Sequence, residues 1–437
     1  MLDVVKLTEK MVAFETESQK SNLPLANFLK ELLIPMGFKV IFQEREESNG
    51  VIKANLIARI GPPNVESLML SGHMDVMPIG ESAKWITKPF ELTEVDGKQY
   101  GRGSVDMKGP MAAMICAVEQ LLPQINRLKR ELMFGFTYDE EVGLKGAKRM
   151  VDAKIVKPKF ILIAEPTELI PVRAHKGHLG LTVFCWGEGG HSSVPSKGRN
   201  AIVLAAKVVS ELEEFGEELK GIKELSIDPP YATINVAEVR GTFKLNEIPD
   251  CCEVDFAIRL IPGQTTQRIR QYITDRLVER TGYDKDGLPL VTVDLYMQEA
   301  DRNKDEKAMK EAIENDCKLA EEEAKLGRKN RKPLTKRKWV MDGRKGTKKM
   351  PTEPMFTSAD SELIRVAEAV TGIPARGECY STDASELQRL GSECLIFGPG
   401  SIWVAHKPNE YIKTSQLIKS VGQFQEIISR MCFGGGR

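Results

Sequence analysis

Two motifs, S-G-H-M-D-V at residues 71–76 and Y-G-R-G-S-V-D-M-K-G at residues 100–109, organise the chain. His73 stands where an apolar strand is predicted to end, and Asp75 follows two residues later. A nearby carboxylate fixes the tautomer of an imidazole, an arrangement typical of metal ligands. Asp106 lies at the start of the next predicted helix, where exposed N–H groups and the helix dipole favour a carboxylate. We therefore predict that His73 and Asp106 bind metal, with Asp106 able to bridge two cations.

Three further apolar runs end in side chains of types that bind metals. E-L-M-F-G-F-T-Y-D-E-E-V-G ends in three consecutive carboxylates at 139–141, and F-I-L-I-A-E-P-T ends at Glu165. E-C-L-I-F-G-P-G-S-I-W-V-A-H places His406 a few residues after its strand. In an open α/β sheet, ligands bind at the carboxyl ends of the strands. We therefore expect these side chains to converge with His73, although more than 300 positions separate His73 from His406.

The acidic triplet has two interpretations. Most acidic runs are solvated turns, but like charges this close repel unless a cation or a shared proton offsets them. Two histidines and three or four carboxylates suit a pair of zinc ions, with cobalt as a substitute. Paired metals bridged by a carboxylate and a water lower the pKa of that water and polarise a carbonyl oxygen. One of Glu140 and Glu141 is then expected to stay off the metals as general base, and the spacing does not say which.

The length and the pattern of elements predict two domains. A chain of 437 residues is too long for one ordinary core. Between 179 and 298 the pattern is strand, helix, strand, strand, helix, strand, which is the order of a ferredoxin-like unit. Elsewhere we predict an α/β fold with a mainly parallel sheet and helices on both faces. We therefore assign 1–178 and 299–437 to a metal-binding domain and 179–298 to an inserted domain.

Global composition argues against a membrane or polyanionic partner. The chain carries 62 basic and 62 acidic residues, so its formal net charge is zero. No apolar run approaches the roughly 20 residues needed to span a bilayer. The N-terminus has the pattern of an amphipathic helix and not of a signal peptide, which predicts a cytoplasmic protein. The eight cysteines are scattered and include no C-x-x-C pair, so no disulfide framework is expected.

A charge-dense segment at about 301–350 departs from this balance. Its part from 325 to 349 holds twelve Lys or Arg residues against one acidic residue, Asp342. A basic arm for nucleic acid is one interpretation. Because Trp339 is the only aromatic residue in that part, we favour a mobile surface insertion and do not expect nucleic-acid binding.

The motifs together resemble a known enzyme family. S-G-H-M-D-V, Y-G-R-G-S-V-D-M-K-G, D-E-E-V-G, A-E-P-T, G-G-H-S-S-V-P and G-P-G-S-I-W-V-A-H occur in this order. They resemble the di-zinc deacylases and exopeptidases that include acetylornithine deacetylase, succinyl-diaminopimelate desuccinylase, aminoacylase and glutamate carboxypeptidase. The resemblance covers nearly the whole chain except about 301–350. Y-D-E-E-V-G-L-K-G-A and G-P-G-S-I-W-V-A-H-K-P-N-E-Y-I are most similar to the acetylornithine deacetylase branch.

This resemblance implies a role for each predicted ligand. Asp106 would bridge two zinc ions. His73 and Glu165 would complete one site, and Glu141 and His406 would complete the other.

The resemblance also implies the remaining site residues. Glu140 would be the general base, and Asp75 would orient the histidine of the first motif. The inserted domain would act as a lid and as the interface of a homodimer, with His191 stabilising the tetrahedral oxyanion, often across the dimer. N-E-I-P-D and A-I-R-L imply that Asn246 and Arg259 line a pocket for the substrate carboxylate, which a planar guanidinium binds bidentately.

Simpler interpretations of several of these residues remain open. His191 follows two glycines and can also be a turn residue, and Arg259 can also form a structural ion pair. His175 and His178, in A-H-K-G-H-L-G, are interpreted as hinge or surface residues and not as ligands.

The resemblance implies hydrolysis of an N-acyl amino acid, with N-acetylornithine as the leading substrate, through attack by a metal-bridging water. Glu165, where some aminopeptidase and dipeptidase branches carry Asp, fits the deacylase and carboxypeptidase branches. A carboxypeptidase or dipeptidase acting on short peptides is the alternative. A remote alternative is an inactive family member that binds a polyanion through its basic segment, but every ligand position and the base are present.

Overall fold

The computed structural model describes residues 1–437 apart from 48, 64–65, 242–243, 298–306, 317, 319–349 and 435–437. The chain divides into two compact units. The first comprises Met1–Lys176, Leu225–Asp228 and Glu353–Arg437, and the second comprises Gly177–Glu224 and Pro229–Thr352. The second unit therefore includes the helical residues 307–316, which the sequence analysis assigned to the metal-binding domain. The basic part of the predicted insertion, 325–349, lies outside the described residues.

The strands of the described residues are numbered here in chain order. They are β1 (Lys39–Glu46), β2 (Ile52–Ile60), β3 (Leu68–His73), β4 (Thr93–Val95), β5 (Lys98–Tyr100), β6 (Leu132–Thr137), β7 (Phe160–Ile163), β8 (Val172–His175), β9 (Gly177–Trp186), β10 (Gly190–His191), β11 (Thr233–Arg240), β12 (Glu247–Ile248), β13 (Cys251–Leu260), β14 (Val291–Leu295), β15 (Met355–Phe356), β16 (Arg376–Glu378), β17 (Glu393–Ile396) and β18 (Tyr411–Lys413). The named α-helices are Val4–Val12, Leu23–Leu33, Lys108–Leu121, Lys145–Ala153, Ala201–Leu219, Thr266–Thr281, Glu362–Thr371, Ala384–Leu387 and Thr414–Phe433.

A nine-stranded mixed sheet forms the centre of the first unit. Its order is β1-β2-β6-β3-β7-β17-β8-β15, and β16 pairs with β8. The four central strands β6, β3, β7 and β17 are parallel to one another, whereas β1, β2 and β15 join by antiparallel pairing. Every residue of β3, β6 and β7 is buried, which explains their continuous apolar runs.

Helices cover both faces of this sheet. Successive side chains of a strand point to opposite faces. Leu68 and Leu70 of β3 belong to one hydrophobic cluster with Phe424 of the C-terminal helix. Met69, between them, belongs to a second cluster with Met150 of helix Lys145–Ala153. The predicted α/β class with helices on both faces is therefore confirmed, with parallel pairing concentrated at the centre of the sheet.

The edge of the sheet at the second unit's insertion point is closed by an antiparallel pair. Met355 of β15 pairs with His175 of β8, and Phe356 pairs with Ala174. The chain therefore leaves the first unit after β8 and resumes its sheet in the neighbouring strand.

The second unit contains a four-stranded antiparallel sheet in the order β11-β13-β9-β14. β9 and β11 both pair antiparallel with β13, so they are parallel to each other and are linked by helix Ala201–Leu219. β13 and β14 flank β9 in the same way and are linked by helix Thr266–Thr281. Both helices contribute to the core under this sheet. This is the split βαβ arrangement predicted for the ferredoxin-like unit.

None of the described helices combines the length and the apolar character that a membrane crossing requires.

Candidate active site

A cluster of imidazoles and carboxylates surrounds Asp106. Asp106 Oδ1 lies 2.9 Å from His73 Nε2, and Asp106 Oδ2 lies 3.1 Å from His406 Nε2. Glu141 Oε2 lies 2.9 Å from His406 Nε2. Glu165 Oε1 lies 3.7 Å from His73 Nε2. The five side chains that the resemblance implies as metal ligands thus lie in two groups that share Asp106.

The parallel centre of the sheet explains this convergence. His73 is the last residue of β3, and Glu165 follows β7 after one residue. Glu141 follows β6, and the chain beyond β17 leads to His406. The carboxyl ends of parallel neighbours meet at one edge of a sheet, so short extensions of these strands bring distant positions together. His73 and Asp106 are buried, whereas the side chain of His406 is 46% exposed, which opens the cluster to solvent.

The donor set of this cluster fits divalent cations. One ligand atom each from His73, Asp106 and Glu141 lies within 4.8 Å of the others. Glu141 Oε1 is buried and has no hydrogen-bond partner among the described residues. Imidazole nitrogens and carboxylate oxygens are normal zinc ligands. Asp106 has one carboxylate oxygen beside His73 and the other beside His406, an arrangement suited to bridge two cations.

The pKa values in the cluster show how strongly its carboxylates need positive charge. Burial lowers the pKa of His73, but the hydrogen bond to Asp106 and the negative charges of Asp106, Glu165 and Asp75 together outweigh burial and hold that pKa well above its usual value. Hydrogen bonds to Asp106 and Glu141 raise the pKa of His406 to about 10. Burial and the charge of Asp106 raise the pKa of Glu141 to about 7 and that of Glu165 well above its usual range. Protons compensate the crowded carboxylates in this arrangement, and bound cations would replace them.

Asp75 connects the first histidine to the acidic triplet. Its Oδ1 accepts a hydrogen bond from the backbone N–H of Glu140 at 3.0 Å. Its Oδ2 accepts from the N–H of Glu141 at 3.3 Å and from the Ser18 hydroxyl at 2.8 Å. His73 Nδ1 lies closer to the carbonyl oxygen of Asp75, at 2.9 Å, than to the carboxylate, at 3.6 Å. The residue therefore contacts His73 mainly through its backbone, while its carboxylate holds the turn that carries both glutamates.

Glu140 and Asp139 have different environments. Burial raises the pKa of Glu140 well above its usual range, and the charges of Glu165 and Glu141 add to that effect. Asp139, in contrast, pairs with Lys53 at 2.7 Å and with Lys145 at 2.9 Å. The charge of Asp139 is thus compensated by two lysines, whereas Glu140 has a strongly raised pKa.

Two buried carboxylates near the cluster were missed by the sequence analysis. Thr137, the last residue of β6, donates a hydrogen bond to Asp383 Oδ2 at 2.6 Å. Burial raises the pKa of Asp383 to about 6. Glu410 binds Arg102 and the backbone that leads to Asp106. The arginine inside the second motif was a signal for a buried acidic partner, whereas nothing in the local pattern marks Asp383.

The other predicted site residues lie in the second unit. His191 is exposed in β10, where its Nδ1 lies 2.7 Å from the Ser193 hydroxyl. The N–H of Ser192 donates to the carbonyl oxygen of Asn246 at 3.0 Å, so Asn246 and His191 are neighbours. Arg259 is exposed in β13, opposite His178 of β9.

The two histidines interpreted as hinge or surface residues differ from each other. His175 is fully buried, so the surface interpretation is wrong for it. His175 directly precedes Lys176, the residue at which the first segment of the first unit ends. Its Nδ1 lies 2.9 Å from the carbonyl oxygen of Lys176. Burial lowers the pKa of His175 to about 4, which keeps its ring neutral. His178 is half-buried in β9.

The sequence of the chain matches one family model over most of its length. The description of that model is peptidase family M20/M25/M40, and the match spans residues 69–430. The chain belongs to this family. Acetylornithine deacetylase from Myxococcus xanthus is 30% identical over 434 residues, covering 99% of this chain and 97% of that protein. Acetylornithine deacetylase from Proteus mirabilis is 29% identical over 428 residues, covering 97% and 94%.

Solved structures of other proteins share the fold. A tripeptidase from Staphylococcus aureus matches with a TM-score of 0.67 at 18% identity, covering 98% of this chain and 97% of that one. A dinuclear metal-binding M20 peptidase from Bacillus subtilis matches with a TM-score of 0.62 at 12% identity, covering 97% and 96%. The family match and the deacetylase relatives confirm the prediction of a metal-dependent deacylase that hydrolyses amide bonds.

Proposed function

We propose that this M20/M25/M40 family member hydrolyses N-acetylornithine, or a closely similar N-acyl amino acid, to the free amine and a carboxylate. The observation that carries the proposal is the convergence of two histidines and two further carboxylates around Asp106. This arrangement occurs in a chain that is similar over its whole length to acetylornithine deacetylases.

The proposed metal centre holds two Zn²⁺ ions, with Co²⁺ as a substitute. Asp106 would bridge the ions, with His73 and Glu165 in one site and Glu141 and His406 in the other. The ions would acidify a water molecule and polarise the oxygen of the scissile carbonyl.

Glu140 is the proposed general base. Its backbone N–H donates a hydrogen bond to Asp75, and its carboxyl group interacts electrostatically with His73, Glu165 and Glu141, which supports this role. A carboxyl group whose pKa is raised accepts a proton readily and releases it again. Glu140 would take the proton of the attacking water and then deliver it to the leaving nitrogen, so that the amide bond breaks as the new carboxylate forms.

Substrate recognition is proposed for the second unit. Arg259 is an exposed residue of β13, and a planar guanidinium suits bidentate binding of the substrate carboxylate. Asn246 and His191 adjoin each other, and an imidazole that donates a hydrogen bond suits the developing oxyanion. In keeping with the family resemblance, we also propose a homodimer formed through this unit and a cytoplasmic location.

Amine release from a substrate panel tests the proposal. The panel contains N-acetylornithine, N-succinyl-diaminopimelate, other N-acyl amino acids and several dipeptides, each incubated with Zn²⁺-loaded protein and with a chelated control. We expect metal-dependent cleavage of N-acetylornithine and little cleavage of dipeptides. Cleavage of dipeptides alone would replace the deacylase proposal with a peptidase. Hydrolysis that persisted in chelator would exclude the metal centre.

A further inference from the structure

The carboxylate of Glu410 binds the loop that carries Asp106. Glu410 is 1% exposed and lies four residues after His406. Its Oε1 accepts backbone hydrogen bonds from the N–H groups of Gly103 at 2.9 Å, Val105 at 3.0 Å and Asp106 at 3.1 Å. One anionic oxygen therefore fixes three N–H groups of a single turn, and bonds to a charged acceptor are stronger than those to a neutral one.

The second oxygen of Glu410 is held by a buried arginine. Glu410 Oε2 lies 2.7 Å from Arg102 Nη1, and both side chains are almost fully buried. Arg102 Nη2 also donates to the carbonyl oxygen of Pro78 at 3.0 Å. The guanidinium lies over the ring of Trp85, 5.3 Å from its centroid. Since both ends of the ion pair are packed, the carboxylate has little freedom to move.

The backbone around Glu410 is fixed to the same region. The N–H of Gly101 donates to the carbonyl oxygen of Glu410 at 3.0 Å. The amide group of Asn409 accepts from the N–H of Ile86 at 2.7 Å and donates to the carbonyl oxygen of Lys84 at 3.0 Å. These bonds hold the backbone of Glu410 in place, four residues after His406.

The five proposed ligands differ in how they are supported. His73 ends β3 and Glu165 closely follows β7, both within the parallel centre of the sheet. Asp106 and His406 belong to loops outside that sheet. The Asp106 loop is hydrogen-bonded to the carboxylate and the backbone of Glu410, and Glu410 is in the same chain segment as His406, four residues after it. The separation of 3.1 Å between Asp106 Oδ2 and His406 Nε2 thus depends on a side chain that is not itself a ligand.

We propose that Glu410 is a positioning residue that ties the loop of Asp106 to the segment of His406 and so maintains the cation site formed by Asp106, Glu141 and His406. The site formed by Asp106, His73 and Glu165 depends on it less, because two of its three ligands are fixed by central strands. This inference rests on the metal centre proposed above. Groups that orient metal ligands typically contribute about 10- to 100-fold in metal affinity.

Calorimetric titration of the metal-free full-length protein with Zn²⁺ tests this inference in Glu410→Asp. The substitution keeps the negative charge but withdraws it by one methylene from the three N–H groups. The unaltered protein is expected to bind two Zn²⁺ ions per chain. The variant is expected to bind one ion with at most a small loss of affinity and the other at least about tenfold more weakly. Elemental analysis after dialysis should then give nearer one ion per chain.

Glu131→Asp is the matched control. Glu131 is also a buried carboxylate and receives two hydrogen bonds from Arg59, at 2.9 and 2.8 Å. It precedes the first residue of β6, whereas Glu141 follows the last. The control should lose stability but keep two ions. Thermal unfolding of both metal-free variants separates a loss of fold from a loss of ligand position.

Each of five outcomes would overturn the inference. Two ions bound with unchanged affinities in Glu410→Asp would remove the positioning role. An equal loss of both ions from that variant, or loss of an ion from Glu131→Asp, would indicate general destabilisation. Glu410→Gln keeps an acceptor oxygen for the N–H groups and should retain the second ion better than Glu410→Asp; the reverse order would make charge, and not position, the cause. Failure of the unaltered protein to bind Zn²⁺ would reject the proposed metal centre itself, so that failure is distinguishable from the others.

Discussion

Lys53 Nζ lies 2.7 Å from Asp139 Oδ1, and both side chains are almost fully buried. The ammonium group also donates to the carbonyl oxygen of Ser18 at 2.6 Å. This pair anchors the turn after β6 in which Glu140 and Glu141 lie. The acidic triplet therefore combines a structural ion pair with two carboxylates of perturbed pKa.

Replacing Lys53 with Met is expected to destabilise the protein by about 3–5 kcal/mol, because Asp139 would remain as a buried charge that has lost its buried partner. Denaturant unfolding of the metal-free protein measures this change. Lys145→Met is the control, since Lys145 binds the same carboxylate from a side chain that is 43% exposed. Exposed pairs contribute about 0–1 kcal/mol. Equal losses in the two variants would contradict the distinction.

Replacing Glu140 with Gln is expected to lower kcat by about 10²–10⁴-fold, since the variant lacks the group that accepts the proton of the attacking water. Bound Zn²⁺ should stay at the level of the unaltered protein. Glu168→Gln, an exposed site close to Glu165 in sequence, should leave kcat unchanged. If Glu140→Gln retained full turnover, the assignment of the base would be wrong.

Replacing Arg259 with Ala is expected to raise KM for substrates with a free carboxylate by about 10- to 100-fold, because hydrogen bonds to charged groups contribute about 1.5–3 kcal/mol. The change in kcat should be small. Arg268→Ala, which removes another exposed arginine of the second unit, serves as the matched control. A KM that did not change in Arg259→Ala would leave this residue outside the substrate pocket.

His175 is expected to make the free energy of unfolding depend on pH. Burial lowers its pKa to about 4, whereas the unfolded chain has the ordinary value of about 6.5. The unfolded state therefore binds the extra proton first, so this contribution is present above about pH 6.5 and is lost as the pH falls towards 4, by about 3 kcal/mol.

The unfolding free energy of His175→Gln, measured by denaturant titration from pH 7 to pH 4.5, should fall less steeply than that of the unaltered protein. His178→Gln removes a half-buried histidine a few residues away and should follow the unaltered protein. Parallel curves for all three proteins would refute this account of His175.

Zn²⁺ is expected to raise the free energy of unfolding, because the cluster exists only in the folded state. At a free concentration of about 100 times Kd, one site contributes about 2.7 kcal/mol. Unfolding measured with and without chelator gives the difference. His406→Ala should retain part of the effect through the site of His73 and Glu165. An unfolding transition that Zn²⁺ left unchanged would argue against the metal centre.

Much of the catalytic fold was predictable because its signals are local. The apolar runs before His73 and Glu165 are buried on both faces, and such strands are read directly from a sequence. Because ligands bind at the carboxyl ends of parallel strands, the sequence alone then predicted that His406 lies close to His73. The ferredoxin-like unit followed in the same way from the order of its elements.

Other features depend on contacts that no local pattern encodes. The bond between Thr137 and Asp383 joins residues 246 positions apart, and that between Arg102 and Glu410 joins residues 308 positions apart. The antiparallel pairing of β2 with β6 is also invisible in the apolar run of either strand. Burial of His175 depends on its neighbours in the sheet, since its surrounding motif is polar.

The pairing of His175 in β8 with Met355 in β15 has a consequence for how this architecture can change. β8 and β15 are antiparallel neighbours, so most of the sequence between them corresponds to the loop of a single β-hairpin in the sheet of the first unit. Lengthening a closed connection adds little entropic cost once its ends are paired. The entropy of closing the connection therefore sets little limit on the size of the module inserted between these two strands. Exchange of this module would remove the hydrogen bond from the N–H of Gly377 to the carbonyl oxygen of Ser226, and a new module would have to replace it.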